Sequence, residues 1–208
     1  MEKQIQTIKT WLGSGSINIF GDPFAGKDTQ AEILAELLGT PAAISGGAIM
    51  RALPPDSQEQ KEMATGDTVS SDLYLRIISP YLAREEFVGK PLMLSTVGRK
   101  EGEEGPVMAA TEKTGHPMKA VILLSLSEEE VWRRFEAAQA DGDRGLRADD
   151  TRETLAVRLQ VYKEQTMPVI NFYREQGLLI EVDGQKSVED VTNEIVDELY
   201  LRAINFTK

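Results

Sequence analysis

The sequence predicts an α/β fold in which helices cover both faces of a parallel sheet. Short apolar runs recur along the chain without the polar alternation of a half-exposed sheet. Stretches with helical patterns separate these runs, as expected where crossover helices join parallel strands. A glycine-rich segment, GDPFAGKDTQ, joins the first apolar run to a helical stretch. Together these observations indicate one domain built from repeated strand–helix units.

Five segments are predicted to be strands because they are short, apolar and bounded by turn or helix signals. They are, in order, SINIF (16–20), the weaker candidate AAI (42–44), PLMLS (91–95), KAVILLSL (119–126) and LLIEV (178–182). A strand that is apolar on both faces needs cover on both, so the five are predicted to form one buried parallel sheet.

The helices between the strands carry clear start and stop signals. Two capping boxes are predicted, namely Ser127 with Glu130 before a helix at 128–140, and Asp150 with Glu153 before a helix at 151–166. Ser187 is predicted to cap a helix at 188–203. The buried stripe of that helix is predicted to comprise Val188, Val191, Ile195 and Leu199. Two glycines, Gly39 and Gly177, are predicted to end helices.

Two stretches interrupt this regular alternation. About fifty residues separate Gly39 from the strand at 91–95, more than one crossover connection needs. Much of this stretch has helical patterns, which predicts a small inserted subdomain at 45–75 rather than a long loop. The polar, glycine-containing segment 138–150 lies between two capped helices and predicts a mobile flap. Residues 1–16 precede the sheet and are predicted to form a helical extension.

The composition excludes several kinds of site. Among 208 residues there is no cysteine and one histidine, His116, which argues against disulfides, thiolate nucleophiles, cysteine-bound metals and histidine triads. His116 is predicted to be a satisfied loop residue without a functional role. The formal net charge of −11 argues against a nucleic-acid or anionic-membrane surface, so any phosphate ligand needs a local cationic cluster. No apolar run reaches the length of a membrane span or signal peptide, and a soluble cytoplasmic protein is predicted.

The segment from Gly21 to Gln30 fits the pattern of a phosphate-binding loop, G-x-x-x-x-G-K. Glycines let backbone N–H groups turn inward, the following helix N-terminus adds positive potential, and Lys27 supplies a mobile charge for the β- and γ-phosphates. An ordinary glycine-rich turn with a solvated lysine is the alternative. Asp28 occupies the position of the usual Mg²⁺-binding hydroxyl, with Thr29 one residue later.

The loop GDPFAGKDTQ resembles the GxPGxGKGTQ loop of adenylate kinases and related nucleoside monophosphate kinases. Further segments resemble motifs of the same family in the same order: ISGGAIMRA (44–52), MATGDTVSSDL (63–73), LSTVGRK (94–100), GLRADDTRETLAVRL (145–159) and IEVDGQKSVEDV (180–191). The resemblance covers residues 17–200, and residues 1–15 have no counterpart in it. It implies a three-layer α/β phosphate-loop kinase domain at 17–208, with a monophosphate-binding insert at 45–75 and a short lid at 138–149.

The resemblance also implies Mg²⁺-dependent transfer of the γ-phosphate of ATP to a nucleoside monophosphate, AMP before others. It implies a monomer that acts in nucleotide biosynthesis, with these two nucleotides as partners and neither nucleic acid nor membrane. The implied ATP site comprises Asp22, Pro23, Phe24, Ala25, Gly26, Lys27, Asp28, Thr29, Arg134 and Lys186. The implied monophosphate site comprises Ser45, Gly46, Arg51, Val69, Arg99, Glu103, Arg147 and Arg158. The implied catalytic residues are Lys27, Arg99, Arg134, Arg147 and Arg158, with Arg144 a weaker candidate.

The implied arginines also have ordinary structural explanations. Arg51 could be a solvated surface residue, and Arg99 could pair with a glutamate of its own loop. Arg134 and Arg158 are predicted on apolar helix faces, where a guanidinium needs an anionic partner. That partner is either a structural carboxylate or a substrate phosphate. The pair Asp149–Asp150 suits helix capping and loop ordering better than metal binding.

Departures from the family pattern bear on activity and specificity. Ser95 replaces the acidic residue that orients Mg²⁺-bound water in the family, so Asp22, Asp28 or another carboxylate would have to help hold the metal. Ala138 replaces a further arginine. Glu103 occupies the position of a glutamine that pairs with adenine, and a carboxylate suits guanine better. Two alternatives stay open: a kinase for GMP or another small acceptor, and a nucleotide-binding regulator with degraded catalysis.

Overall fold

The structure, a computed structural model of the chain, describes residues 1–54, 57, 71–141 and 151–205, with backbone alone at positions 47, 50, 51, 71, 72 and 141. Within these ranges one sheet contains five strands: β1 (Ser16–Gly21), β2 (Ile44–Ser45), β3 (Leu92–Ser95), β4 (Met118–Ser125) and β5 (Leu179–Asp183). Their order across the sheet is β2–β3–β1–β4–β5, and every neighbouring pair is parallel. The predicted fold class is confirmed.

The central strand β1 positions the site. It pairs with β3 on one side and β4 on the other, with Ile17 opposite both Met93 and Ala120. The carboxyl ends of β1, β3 and β4 therefore meet at one edge of the sheet, where ligands of such folds bind. The weakest predicted strand, 42–44, is observed two residues later as Ile44–Ser45 at the edge of the sheet.

The helices that the structure describes alternate with these strands. In chain order they are α1 (Glu2–Leu12), α2 (Lys27–Leu38), α3 (Gly46–Arg51), α4 (Ser71–Leu82), α5 (Glu104–Lys113), α6 (Glu128–Asp141), α7 (Arg152–Val161), α8 (Met167–Glu175) and α9 (Val188–Asn205). A 3₁₀ turn (Glu85–Phe87) precedes β3, and a π-helical turn (Tyr162–Thr166) joins α7 to α8. Within the predicted insert at 45–75, α3 and the start of α4 are helical as expected, and most of the remainder lies outside the described residues.

Two separate apolar clusters form the layers above and below the sheet. On one face Phe20 of β1 packs with residues of α4, α5 and α8, including Ile78, Val107 and Tyr173. On the other face Ile17 and Ile19 pack with α1, α2 and α9. Side chains alternate between the two faces of a strand, so Ile17 and Ile19 share one face of β1, and Phe20 shares the other with the buried polar residues Ser16 and Asn18. The central strands are therefore buried on both faces, whereas the edge strand β5 alternates, with Glu181 and Asp183 exposed.

Two details of the predicted helix starts are wrong. The N-cap of α7 is Thr151 rather than Asp150. Thr151 Oγ1 accepts a hydrogen bond from Thr154 N at 3.2 Å, and Thr154 Oγ1 accepts one from Thr151 N at 2.8 Å, so a threonine closes the capping box one residue later than predicted. Val188, placed in the buried stripe of the last helix, is 53% exposed because it is the first residue of α9. Val191 and the two later members of that stripe are buried as predicted.

The other predicted caps are confirmed as caps, but the carboxylate of Glu130, the second member of the predicted Ser127 capping box, hydrogen-bonds to Arg133 and Arg134. Ser127 Oγ and Ser187 Oγ accept hydrogen bonds from the third helical N–H of α6 and α9, each at 3.2 Å. Gly39 ends α2 with a φ of +71°, and Gly177 has a φ of +68° two residues after α8. Glycine adopts such left-handed angles at no steric cost.

The N-terminal residues are helical, as predicted, and α1 packs on the domain. Ile8 and Leu12 of α1 are buried in the cluster shared with α2 and α9. His116, before β4, is 1% exposed and its Nδ1 lies 3.0 Å from the carbonyl oxygen of Ser14. This contact gives the histidine a structural partner. Among the described residues no helix combines the length and apolarity needed to cross a membrane.

Candidate active site

The loop between β1 and α2 has the backbone geometry of a phosphate-binding loop. Gly21 ends β1 in a tight position, where an added Cβ would lie 3.0 Å from the carbonyl oxygen of Leu124 and 3.1 Å from the Ala25 side chain. Gly26 has a φ of +78° and is the N-cap of α2. Both glycines of the predicted pattern are therefore required by the fold, and Lys27 begins the helix whose N-terminus faces the loop.

Phe24 holds this loop from outside. Its φ of +64° lies in the left-handed region, which disfavours residues with a side chain. Its ring packs edge-to-face on Phe135, with centroids 5.7 Å apart, against a cluster of α6 and α7 side chains that includes Val131 and Leu159. The ring contact stabilises a backbone conformation that glycine would adopt unaided, and it connects the loop to the two helices that flank the predicted lid.

Asp22 fixes the start of the loop to the neighbouring strand end. Its Oδ2 accepts a hydrogen bond from Leu126 N at 2.9 Å, just beyond β4. Burial raises the pKa of this carboxyl, while the hydrogen bond from the backbone opposes the rise. Asp22 therefore ties the start of the loop to the end of β4.

Lys27 and Asp28 form an exchangeable ion pair at the start of α2. Lys27 Nζ lies 3.2 Å from Asp28 Oδ2, and the two side chains are 27% and 66% exposed. An ion pair that is partly exposed to solvent contributes about 1 kcal/mol or less, so an anionic ligand can displace it. The other carboxylate oxygen, Asp28 Oδ1, accepts a hydrogen bond of 2.7 Å from Ser95 Oγ at the end of β3. Thr29 is exposed on the next position of the helix.

Arg134 links the loop to the turn after β5. Its guanidinium donates to the carbonyl oxygen of Phe24 at 3.2 Å and to that of Gly184 at 2.8 Å. Its Nε donates to Glu130 Oε1 at 2.7 Å, one turn back on α6. Hydrogen bonds from Arg133 and then Arg134 lower the pKa of Glu130 to about 2. The carboxylate partner considered for Arg134 is thus present, and it orients the guanidinium between two loops of the site.

The loop after β3, which carries Arg99, is held by buried polar side chains. Asn18 of β1 donates from Nδ2 to the carbonyl oxygen of Val97 at 2.7 Å, and its Oδ1 accepts from Val97 N at 3.3 Å. Tyr74 Oη of α4 accepts from Gly98 N at 2.8 Å. Arg99 itself is exposed. The chain therefore presents Arg99 from a loop that is fixed at both β1 and α4.

Glu103 is buried against the loop that carries Arg99. It is 8% exposed, and its Oε2 accepts a hydrogen bond from Lys100 N at 3.1 Å. Burial raises its pKa, and the bond from Lys100 N together with the charges of Lys100 and Arg99 opposes the rise. This geometry assigns Glu103 a part in holding the loop that carries Arg99.

The remaining predicted residues are placed as follows. Ser45 Oγ accepts from Ala48 N at 3.1 Å and so caps α3, the helix that ends at Arg51. An added Cβ on Gly46 would lie 3.6 Å from the carbonyl oxygen of Thr96, which places the start of α3 beside the loop after β3. Pro23 is half-buried within the loop. Val69, Arg144, Arg147, the Asp149–Asp150 pair and most of the predicted lid 138–149 lie outside the described residues, as does the Arg51 side chain.

Two further predicted cations lie on helices or turns around the loop. Arg158 is half-buried on α7 between Leu155 and Leu159, on the apolar face that periodicity predicted. Lys186, in the turn after β5, donates to Glu194 Oε2 at 2.7 Å, and this bond raises its pKa. The described cations of the ATP-side prediction, Lys27, Arg134 and Lys186, each have a carboxylate partner.

The donor set suits a metal ion that arrives with a nucleotide. No group of three or more His, Asp or Glu side chains able to hold a metal occurs among the residues that the structure describes. Asp28 and Ser95 offer hard oxygen atoms beside the phosphate loop. Mg²⁺ prefers such oxygens, keeps several waters and is commonly bound through one or two carboxylates plus substrate phosphates. The residues present therefore fit a Mg²⁺ ion that is held mainly by the phosphates and water, with one protein carboxylate beside it.

Sequence reasoning missed three residues that shape the site. Asn18 is a polar residue between Ile17 and Ile19 in the middle of a predicted buried strand, and this was an available signal. Glu130 lies four residues before Arg134, a spacing at which a glutamate and an arginine pair on a helix. Tyr74 carried no signal, since aromatic residues are common in helix cores and its partner, Gly98 N, belongs to a distant loop.

Comparison with known proteins gives the family. The family model described as adenylate kinase matches residues 19–178. An adenylate kinase of Xylella fastidiosa (strain 9a5c) is 34% identical over 184 residues, which cover 86% of this chain and 95% of the relative. One from a Nocardioides species is 35% identical over 190 residues, covering 87% and 95%. One from Parvibaculum lavamentivorans is 33% identical over 181 residues, covering 85% and 88%. The chain is therefore a nucleoside monophosphate kinase and belongs to the adenylate kinase family.

Proposed function

We propose that this protein transfers the γ-phosphoryl group of ATP, bound with Mg²⁺, to AMP. The observation that carries the proposal is the phosphate loop, in which Gly21 and Gly26 have the required backbone geometry and Lys27 begins the following helix. Relatives at 33–35% identity that are named adenylate kinase support the choice of substrates.

The donor phosphates bind at the loop and the N-terminus of α2. Backbone N–H groups of residues 22–29 and the positive end of the helix attract the phosphates, and Lys27 leaves Asp28 to neutralise the β- and γ-oxygens. Bound Mg²⁺ supplies charge neutralisation on the phosphate oxygens. Arg134 holds the loop against the turn at Gly184 and so preserves the loop geometry. Lys186 lies in the same turn, on the side where the adenine ring is proposed to bind.

The acceptor monophosphate binds between α3 and the loop after β3. Arg51 and Arg99 bind its phosphate. Ser45, Gly46 and Val69 contribute to binding of the nucleoside. The hydrogen bonds from Asn18 to Val97 and from Gly98 to Tyr74 reduce the conformational freedom of the loop that carries Arg99. A fixed loop places the guanidinium with little ordering cost on binding.

Transfer needs positioning and charge neutralisation rather than a general base. The attacking group is a phosphate oxygen that is already ionised, so no proton has to be removed from it. Arg134, Arg147 and Arg158 neutralise charge on the transferring group, and closure of the lid at 138–149 excludes water and suppresses hydrolysis. Low dielectric in the closed site strengthens each of these interactions.

Glu103 bears on the choice of acceptor base. A carboxylate that faces the base would favour guanine, which offers two adjacent N–H donors. Its hydrogen bond with Lys100 N and its burial give Glu103 a different partner, which favours AMP over GMP in this proposal.

The test is a coupled assay of ADP formation from ATP with AMP, GMP, CMP or UMP. AMP is expected to give the highest kcat/KM, and Lys27→Met is expected to abolish transfer with the fold intact. Lys113→Met, at the far end of α5, removes the same charge as a matched control and should keep full activity. Tight ATP binding without product for any monophosphate would instead identify a nucleotide-binding regulator.

A further inference from the structure

Asp28 and Ser95 form a hydroxyl–carboxylate pair beside the phosphate loop. Ser95 Oγ donates to Asp28 Oδ1 at 2.7 Å. Ser95 is 4% exposed at the end of β3, whereas the Asp28 side chain is 66% exposed at the start of α2. The hydroxyl is therefore fixed by the sheet, and it orients a carboxylate that remains accessible from the solvent side.

The same two chemical groups occur in phosphate-loop enzymes at each other's positions. There a serine or threonine directly after the lysine, together with an aspartate at a nearby strand end, holds Mg²⁺. Here the residue directly after Lys27 is the carboxylate Asp28, and the residue at the end of the adjacent strand is the hydroxyl Ser95. The pair is thus present with its members exchanged, and the 2.7 Å hydrogen bond shows that they meet at one place.

Charge balance indicates what the carboxylate requires when a nucleotide binds. In the ligand-free protein Lys27 Nζ neutralises Asp28 Oδ2 at 3.2 Å. Once Lys27 turns to the phosphates, the Asp28 carboxylate lies beside several phosphate charges. A carboxylate beside phosphate oxygens is repelled unless a cation lies between them. A divalent cation that prefers oxygen ligands and binds phosphates meets this need.

We propose that Asp28, oriented by Ser95, is the protein carboxylate that holds the Mg²⁺ of the bound nucleotide, directly or through its water. This inference rests on the proposed function, since it requires a nucleotide on the loop. It also removes the reason to regard Ser95 as a sign of degraded catalysis, because the lost carboxylate is supplied from α2. The competing explanation is that Asp28 serves only as the resting partner of Lys27.

The test measures binding of a non-hydrolysable ATP analogue by calorimetry, once in excess EDTA and once in excess Mg²⁺, so that no turnover is involved. The quantity compared is the ratio of the two affinities. Asp28→Asn is expected to bind the analogue as tightly as the wild type or more tightly in EDTA, and to lower the Mg²⁺ enhancement at least tenfold. Glu36→Gln, at the far end of α2, removes the same charge and should leave the enhancement unchanged. Mn²⁺ electron paramagnetic resonance of the analogue complex gives an independent measure of metal affinity.

The reciprocal variant, Asp28→Ser with Ser95→Asp, restores the usual arrangement and is expected to recover most of the Mg²⁺ enhancement lost in Asp28→Asn. An enhancement in Asp28→Asn equal to that of the wild type would overturn the inference, whatever the reciprocal variant does. If the wild type binds the analogue and also forms ADP from ATP and AMP in the coupled assay, while Asp28→Asn keeps the wild-type Mg²⁺ enhancement of analogue binding, this inference alone is wrong. If the wild type binds no analogue, the proposed function is wrong as well. Because Asp28 is exposed, its single variant should fold, and thermal unfolding checks this.

Discussion

Replacing Phe24 by glycine and, separately, by alanine tests the geometry of the phosphate loop. Both changes remove the ring from Phe135 and its cluster. They differ at the backbone, since alanine keeps the cost of a φ of +64° and glycine does not. That cost is about 1–2 kcal/mol for a residue with a side chain. Glycine in turn loses roughly 0.5–1 kcal/mol more backbone entropy on folding.

These terms predict an order of stability. A fully buried phenylalanine loses about 3–5 kcal/mol when truncated to alanine, and Phe24 is only half-buried, so a loss of about 2 kcal/mol is expected for Phe24→Ala. For Phe24→Gly the relief of strain outweighs the entropy term by about 0.5–1 kcal/mol. The glycine variant should therefore be the more stable of the two. In a helix interior the order of these two residues is the reverse.

Urea unfolding of both variants measures this difference, and steady-state kinetics shows its effect on the site. The KM for ATP should rise more than the KM for AMP in both variants, because Phe24 belongs to the donor loop and its ring fixes that loop to α6 and α7. Phe172→Ala removes a partly buried ring on α8 and serves as the control. It should lower stability and leave the ratio of the KM for ATP to the KM for AMP as in the wild type. An alanine variant as stable as the glycine variant would refute the argument that Phe24 stores backbone strain.

Three further predictions follow from other contacts. The pKa of Glu130 is about 2 against an ordinary 4.5, so the stability that its ionised form contributes is fully present above pH 4.5 and is lost as the pH falls through 2. In urea unfolding, Glu130→Gln should therefore make the free energy of unfolding less dependent on pH between 4.5 and 2. Asn18→Ala should lower stability by about 2–3 kcal/mol, because the buried N–H and C=O of Val97 lose their partner, and should raise the KM for AMP in the coupled assay. Glu103→Gln should change the ratio of kcat/KM for AMP and GMP less than about threefold, because the side chain binds Lys100 N; a tenfold shift toward AMP would show that it contacts the base.

The sheet could be predicted because its signal is local. The central strands β1 and β3 are buried along their whole length and β4 along most of it, so their composition distinguishes them from the amphipathic helices around them. The edge strand β5 instead alternates, with Glu181 and Asp183 exposed. Helix starts were predicted less well where two neighbouring residues can both cap. At 150–151 an aspartate and a threonine are neighbours, each with a residue three positions later that can complete a capping box, and in the structure the threonine is the cap. Sequence patterns do not rank two such candidates.

The partners of charged and polar site residues could be predicted only in part. Periodicity placed Arg134 on an apolar face and required an anion for it, and Glu130 meets that requirement. The hydrogen bonds of its guanidinium to Phe24 and Gly184 join segments far apart in sequence, so no spacing rule shows them. The same holds for Ser95 and Asp28, which lie 67 residues apart and meet because β3 is adjacent to β1.

The acidic composition and the cationic site are consistent with each other for a physical reason. A cluster of cations without anions repels itself, and in this chain Lys27, Arg134 and Lys186 are paired with Asp28, Glu130 and Glu194. These pairs differ in what a nucleotide can displace. Lys27 and Lys186 each donate to one carboxylate among the described residues, at partly exposed positions, whereas the Arg134 guanidinium also binds two backbone carbonyl oxygens. Nucleotide phosphates should therefore displace the lysines from their partners first, while Arg134 stays hydrogen-bonded to the loop and acts on the transferring group through its charge from that fixed position.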